Sequence, residues 1–288
     1  MNFNEKEFLF TGCSFTYGYG LGYYSIKPYP RVWKSYINRV NLPDREQLLD
    51  FQYKNRFSSK IASHYNTEYK QFGGVSGCDL QSVEWLKDIL GFENDEDFLE
   101  GYHTPTYNSI YHDEYSIKQK INPDIPNSSK SFMNAHTLIF QTSYIDRNLA
   151  GVWEDMADGI PNITTKDECL DYYKETRLYE HTRYIQLVSD KVINICKTLE
   201  YLGINVYFIH ATPVYKDIPY IMDRTIHITH KETKYLSITK MMKDYSETCI
   251  GTDPIFGTNP PNDFHPSLEC HDSIYKSIVN KLNESNPL

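Results

Sequence analysis

Short apolar runs alternate with stretches of helical periodicity along this chain. Glu7-Phe8-Leu9-Phe10-Thr11-Gly12 is brief, apolar and closed by glycine, which predicts a buried strand running into a turn. Three glycines among aromatics at 18–24 read as a flexible loop, and a helix is expected to start in Val32 to Ile37. A helix over Ser58 to His64 leads to a short strand at Tyr69 to Phe72, and Gly73-Gly74-Val75-Ser76-Gly77 forms a second glycine-rich turn. Leu80, Val83, Leu86 and Leu90 recur near helical spacing. Thr137-Leu138-Ile139-Phe140 is the next buried strand. The longest helical signal runs from about Lys166 to Tyr201, with Ile185, Val188, Val192, Ile195 and Leu199 on one stripe and Gly203 closing it. Val206-Tyr207-Phe208-Ile209 is a fourth strand. A last helix buries Ile274, Ile278 and Leu282, with Ser267 as its N-cap.

Strands alternating with helices predict an α/β fold, a three-layer α/β/α sandwich around a mostly parallel sheet. In such sheets ligands sit beyond the carboxyl ends of the strands. The segments ending at Ser14, Gly77 and Ser143 each follow a predicted strand, so the topology gathers them at one edge. Neither a repeat nor a linker interrupts the 288 residues, so residues 1–288 are expected to form a single domain. Two irregular insertions, at about 92–131 and 148–165, break the periodicity. Long insertions of this kind border sites or form surface excursions.

Composition narrows the function classes. A net charge of −9 repels phosphate backbones, so no nucleic-acid partner is expected. The polar start, Met1 to Glu7, lacks the pattern of a signal peptide, and every apolar run is far too short to span a bilayer. A cytoplasmic protein without a membrane partner is the expectation. Six cysteines without a CxxC pair fit reduced thiols rather than disulfides or a zinc site. His227-Ile228-Thr229-His230 lacks a third ligand in register and reads as a surface pair, so neither metal nor cofactor is expected. The 25 tyrosines fit either sugar-stacking surfaces or the base composition of the gene. Oligomeric state is not legible.

Gly12-Cys13-Ser14-Phe15-Thr16-Tyr17-Gly18 resembles the first block of the SGNH or GDSL hydrolase family, and Asn262-Asp263-Phe264-His265-Pro266-Ser267 resembles its last. The resemblance implies that fold, in its flavodoxin-like arrangement, with Ser14 as nucleophile and His265 as its base. The family's usual Asp-x-x-His spacing lands here on Asn262. Asp263, two residues before the histidine, is the expected acid, and the family also contains Ser-His dyads. Gly74-Val75-Ser76-Gly77 is similar to the second block, so Gly77, or Gly74 in the other register, is expected to offer an amide to the oxyanion. Phe140-Gln141-Thr142-Ser143 stands where the family has Gly-x-Asn. Ser143 or Gln141 is expected to replace the missing asparagine. Arg147 either contacts an acidic group of the substrate or forms a surface salt bridge. His271 matches a later histidine of the last block and takes a structural role, and Cys13 is a small packing residue.

The resemblance therefore implies a serine esterase or deacetylase that acts on an acylated carbohydrate or small molecule through an acyl-enzyme. The same machinery serves an acyltransferase. The departures in the third and last blocks also fit a binding or structural protein that kept the fold and lost activity.

Overall fold

The computed structural model describes residues 7–25, 42–73, 78–90, 135–144, 148, 164–165, 168–169, 172, 181–258, 260–261 and 263–285. Four strands form a parallel sheet in the order β2 (Tyr69–Gly73), β1 (Glu7–Gly12), β3 (Ala135–Thr142), β4 (Asn205–His210). The expected α/β class with a parallel central sheet is the observed one.

The apolar runs are continuous because the sheet is covered on both faces. Alternate residues of each strand go to opposite layers. Leu9, Leu138, Phe140 and Phe208 pack with helix α4 (Asp79–Leu90) and helix α5 (His181–Tyr201) through Leu80, Val83, Leu86, Val188, Val192 and Leu199. Phe8, Phe10, Ile139 and Ile209 face the other layer. There helix α3 (Phe57–Tyr65) contributes Phe57 and Ile61, helix α7 (Ile238–Asp244), which follows the short helix α6 (Pro219–Met222), contributes Met241, and helix α8 (Leu268–Ser285) contributes Ile274, Ile278 and Leu282. Fully burying each such side chain stabilises by roughly 1.5–3 kcal/mol.

The expected helix ends are realised. Gly203 adopts φ +87 and its amide bonds to the Glu200 carbonyl, while the Ile204 amide bonds to that of Leu199. Ser267 Oγ accepts from the Cys270 amide at 3.2 Å, capping α8.

Several elements differ from the expectations. The glycine-rich stretch 18–24 takes regular structure in place of an irregular loop. Gly18 caps helix α1 (Ser14–Tyr17), and a 3-10 helix at Leu21–Ser25 buries Leu21, Tyr23 and Tyr24. Helix α2 (Leu42–Asn55) lacked a signal because its sequence is largely polar; Leu48 and Gln52 are its buried residues among those described. The hairpin of β5 (Ile228–His230) and β6 (Thr233–Tyr235) also went unforeseen. His230 is buried against Ser273 and Glu247, so His227 and His230 are not a surface pair. Residues 32–37 and 92–131 lie outside the described residues, as does most of 148–165.

Candidate active site

Strand β1 ends at Gly12 and the chain turns at once into α1, four residues long, with Ser14 at its first position. Gly18 stops the helix in the left-handed region at φ +77. The amides of Gly18 and Tyr19 both donate to the Ser14 carbonyl at 3.0 Å. The turn therefore closes immediately behind the serine. Ser14 itself is buried.

His265 arrives from the far end of the sequence. Its carbonyl accepts from the Ile250 amide at 2.9 Å, and Pro266 bridges antiparallel to Cys249. One residue on, the Ser267 amide donates to the Thr248 carbonyl at 3.0 Å. These bonds fix the loop before α8 begins. His265 Nε2 lies 3.0 Å from Ser14 Oγ, and His265 Nδ1 is hydrogen-bonded to Asp263 Oδ1. A carboxylate only accepts, so Nδ1 carries the proton and Nε2 presents its lone pair to the serine hydroxyl. The two-residue spacing is held by a tight turn before it, where the Asp263 amide donates to the Pro261 carbonyl at 2.9 Å. The structure thus brings Ser14, His265 and Asp263 together in one hydrogen-bonded chain, with His265 in the middle.

Two glycines give Asp263 its room. A Cβ on Gly20 would lie 2.9 Å from Asp263 Oδ2, and one on Gly251 would lie 2.7 Å from the Asp263 carbonyl. Neither contact was legible in the sequence, since each joins segments more than 200 residues or a full loop apart. Aromatic rings frame the imidazole. The Tyr19 ring centroid is 4.8 Å from that of His265, and Phe15 meets it edge-on at 5.7 Å. Phe264, between Asp263 and His265 in the chain, is 48% exposed.

Gln141, of the third block, is placed differently from the expectation of a substrate-facing donor. Gln141 is fully buried beneath the Ser14 turn. Its Nε2 donates to the Thr142 carbonyl at 2.6 Å and to Cys13 Sγ at 3.3 Å, so both amide protons are engaged within the fold. Ser143 is also buried, and its amide donates to Asp79 Oδ1 at 2.6 Å. Asp79, the first residue of α4, further accepts from Tyr215 Oη at 2.6 Å and Asn148 Nδ2 at 3.3 Å. Burial, then the adjacent Asp79 carboxylate, hold the Tyr215 phenol well above its ordinary pKa. Asn148 Oδ1 in turn accepts from the Leu80 amide at 2.9 Å. Polar groups at the carboxyl ends of β3 and β4 are thus locked to the start of α4. Gly74, Gly77, Arg147 and Asn262 lie outside the described residues.

His271 takes a buried position behind the site. Its Nδ1 accepts from the Phe57 amide at 3.2 Å, and its ring stacks on Phe57. Burial first, then the cations Lys60 and Arg56, push its pKa down to about 3. Cys13 is fully buried, as a packing residue would be. Among the described residues no group of three or more His, Cys, Asp or Glu side chains could hold a metal ion. No described helix is long and apolar enough to cross a membrane.

The chain matches no protein-family model, and no curated protein is significantly similar to it. Among solved structures it is similar to a carbohydrate esterase, with 13% identity and a TM-score of 0.42 over 98% of this chain and 70% of that chain. A likeness that distant assigns neither activity nor substrate.

Proposed function

We propose that the protein is a serine esterase or deacetylase of the SGNH type, cleaving an acyl ester on a carbohydrate or other small molecule. The observation that carries this reading is the Ser14 Oγ to His265 Nε2 distance of 3.0 Å, with His265 Nδ1 held by Asp263. That distance is within the reach a base needs to activate a hydroxyl.

Ser14 Oγ attacks the acyl carbon while His265 Nε2 takes its proton. Asp263 holds the imidazole in the right tautomer and stabilises the imidazolium. The tetrahedral oxyanion collapses, the ester C–O bond breaks, and the leaving alkoxide takes the proton from Nε2. Water then attacks the acyl-enzyme, with His265 again as base. The proton returns to Ser14 Oγ, and the carboxylic acid departs. The Ser14 amide and that of Gly77 are the proposed oxyanion donors, each supplying about 2.7–4 kcal/mol to the transition state. Tyr19 and Phe264 place aromatic surface beside the base, suited to the apolar faces of a small substrate.

Fluorophosphonate labelling followed by mass spectrometry tests the reading. Wild-type protein is expected to gain one phosphonyl group on Ser14, and Ser14→Ala to gain none. An unlabelled wild type, or equal labelling of the variant, would overturn it.

A further inference from the structure

We infer that Gln141 is a positioning residue for the nucleophile, acting on Ser14 through both flanks of its turn; this rests on the serine-esterase reading.

The residue types leave one orientation for the side chain. Gln141 Oε1 accepts from the Thr16 amide at 3.1 Å, from Thr16 Oγ1 at 2.7 Å and, more weakly, from the Cys13 amide at 3.4 Å. Backbone amides can only donate, so the oxygen must face them and the nitrogen must face the Thr142 carbonyl. The two amides bracket the nucleophile: Cys13 precedes Ser14 and Thr16 follows it by two. One carboxamide therefore holds both ends of the arc that carries Ser14.

The holder is stiffly mounted. Gln141 lies in β3, with its neighbour Phe140 in register with Thr11 of β1 and Gln141 itself in register with Ile209 of β4. The arrangement also dictates Gly12. A Cβ there would fall 2.3 Å from Thr16 Oγ1 and 2.7 Å from Gln141 Oε1, so a side chain at this position and the clamp exclude each other. Below the turn, Gln71 Nε2 donates to the Thr16 carbonyl at 3.3 Å, which ties the same residue to β2. The serine is thus referenced to three adjacent strands at once. A displacement of about 1 Å at a reacting atom can cost about 100-fold in rate.

The test measures the second-order rate of fluorophosphonate labelling per folded molecule, together with kcat and KM on an activated ester, for Gln141→Leu, Gln141→Glu and Thr16→Val. Gln141→Leu is expected to slow labelling about 100-fold and to lower kcat with little change in KM. Gln141→Glu, protonated, keeps an accepting oxygen for Thr16 and a donor for Thr142, and is expected to recover to within about tenfold of wild type. Thr16→Val removes one donor to Gln141 and is expected to lose several-fold in kcat at unchanged KM. It also carries the test if Gln141→Leu does not fold. Wild-type labelling rates in folded Gln141→Leu, or in Thr16→Val where that variant decides, would overturn the inference and leave the esterase reading standing. Absence of labelling in the wild type would overturn the esterase reading and this inference with it.

Discussion

Gly20 leaves open the space that the Asp263 carboxylate occupies: a Cβ on Gly20 would lie 2.9 Å from Asp263 Oδ2 and 2.6 Å from Ile250 Cδ1. Gly20 also has φ +85, where L side chains are strained. Gly20→Ala is therefore expected to lower stability by more than about 1 kcal/mol and to turn Asp263 away from His265. Urea unfolding and ester kcat check it, with both expected to fall. A variant as active and as stable as wild type would contradict the geometry.

Asp263→Asn keeps the size of the side chain and removes its charge. The amide can donate to His265 Nδ1, which would place the imidazole proton on Nε2, facing Ser14. A drop in kcat of about 10⁴-fold at near-normal stability is expected, the scale seen when a triad aspartate is so replaced. Steady-state kinetics beside a thermal melt separates this from unfolding. A loss below tenfold would mean that the Ser14–His265 pair works as a dyad.

Tyr215→Phe deletes a hydroxyl that donates to the buried Asp79 carboxylate at 2.6 Å. Hydrogen bonds to charged acceptors contribute about 1.5–3 kcal/mol, and that is the expected loss in denaturant unfolding. The fluorophosphonate rate of the folded variant should stay within about threefold of wild type, because Tyr215 is joined to Asp79 and not to Ser14 or His265. A large fall in rate would make the Asp79 cluster part of the active site.

Stability should fall on mild acidification. His210 and His271 are buried, and desolvation foremost lowers their pKa values to about 4 and about 3. In the unfolded chain each titrates near about 6.5. Below that value the unfolded state binds protons that the folded state does not. Their contribution is therefore fully present above about pH 6.5 and is lost as pH falls toward 4 and 3. The slope is about 1.4 kcal/mol per pH unit for each histidine. Glu247, lowered to about 2 chiefly by its hydrogen bond from Lys231, adds a loss in the same direction only below about pH 4.5. Urea unfolding between pH 7 and 5 checks the histidine window. His271→Phe should remove about half of the slope, and an unchanged slope would rule out its buried neutral state.

Much of the frame was legible because hydrophobic periodicity is local. The runs at Phe8–Phe10, Leu138–Phe140 and Val206–Ile209 could only be buried strands, and the stripe from Val188 to Leu199 only a buried helix face. Helix α2 escaped notice because a partly exposed, largely polar helix carries little periodic signal. Ser14 and His265 stood out because they fall in short blocks whose residue types match a known chemistry. Gln141 was legible as a position and not as a role. Its bonds to Cys13 and Thr16 span more than 120 residues, and only strand pairing sets which way its amide faces.

The sequence by itself determined the alternation of strands and helices and the parallel sheet that follows from it; the pairing of an early serine with a late histidine came only as what a family resemblance implies. Periodicity and connection rules act over a few residues, so one chain suffices to read them. Only the tertiary structure sets the expected Asp263 carboxylate against His265 Nδ1. It also decided that Gln141 faces inward, and that Gly12, Gly20 and Gly251 are empty for the sake of neighbours far along the chain. Each of those is a question of which atoms share a few ångströms of space. Register, burial and close approach settle it, and no local pattern of residues encodes them.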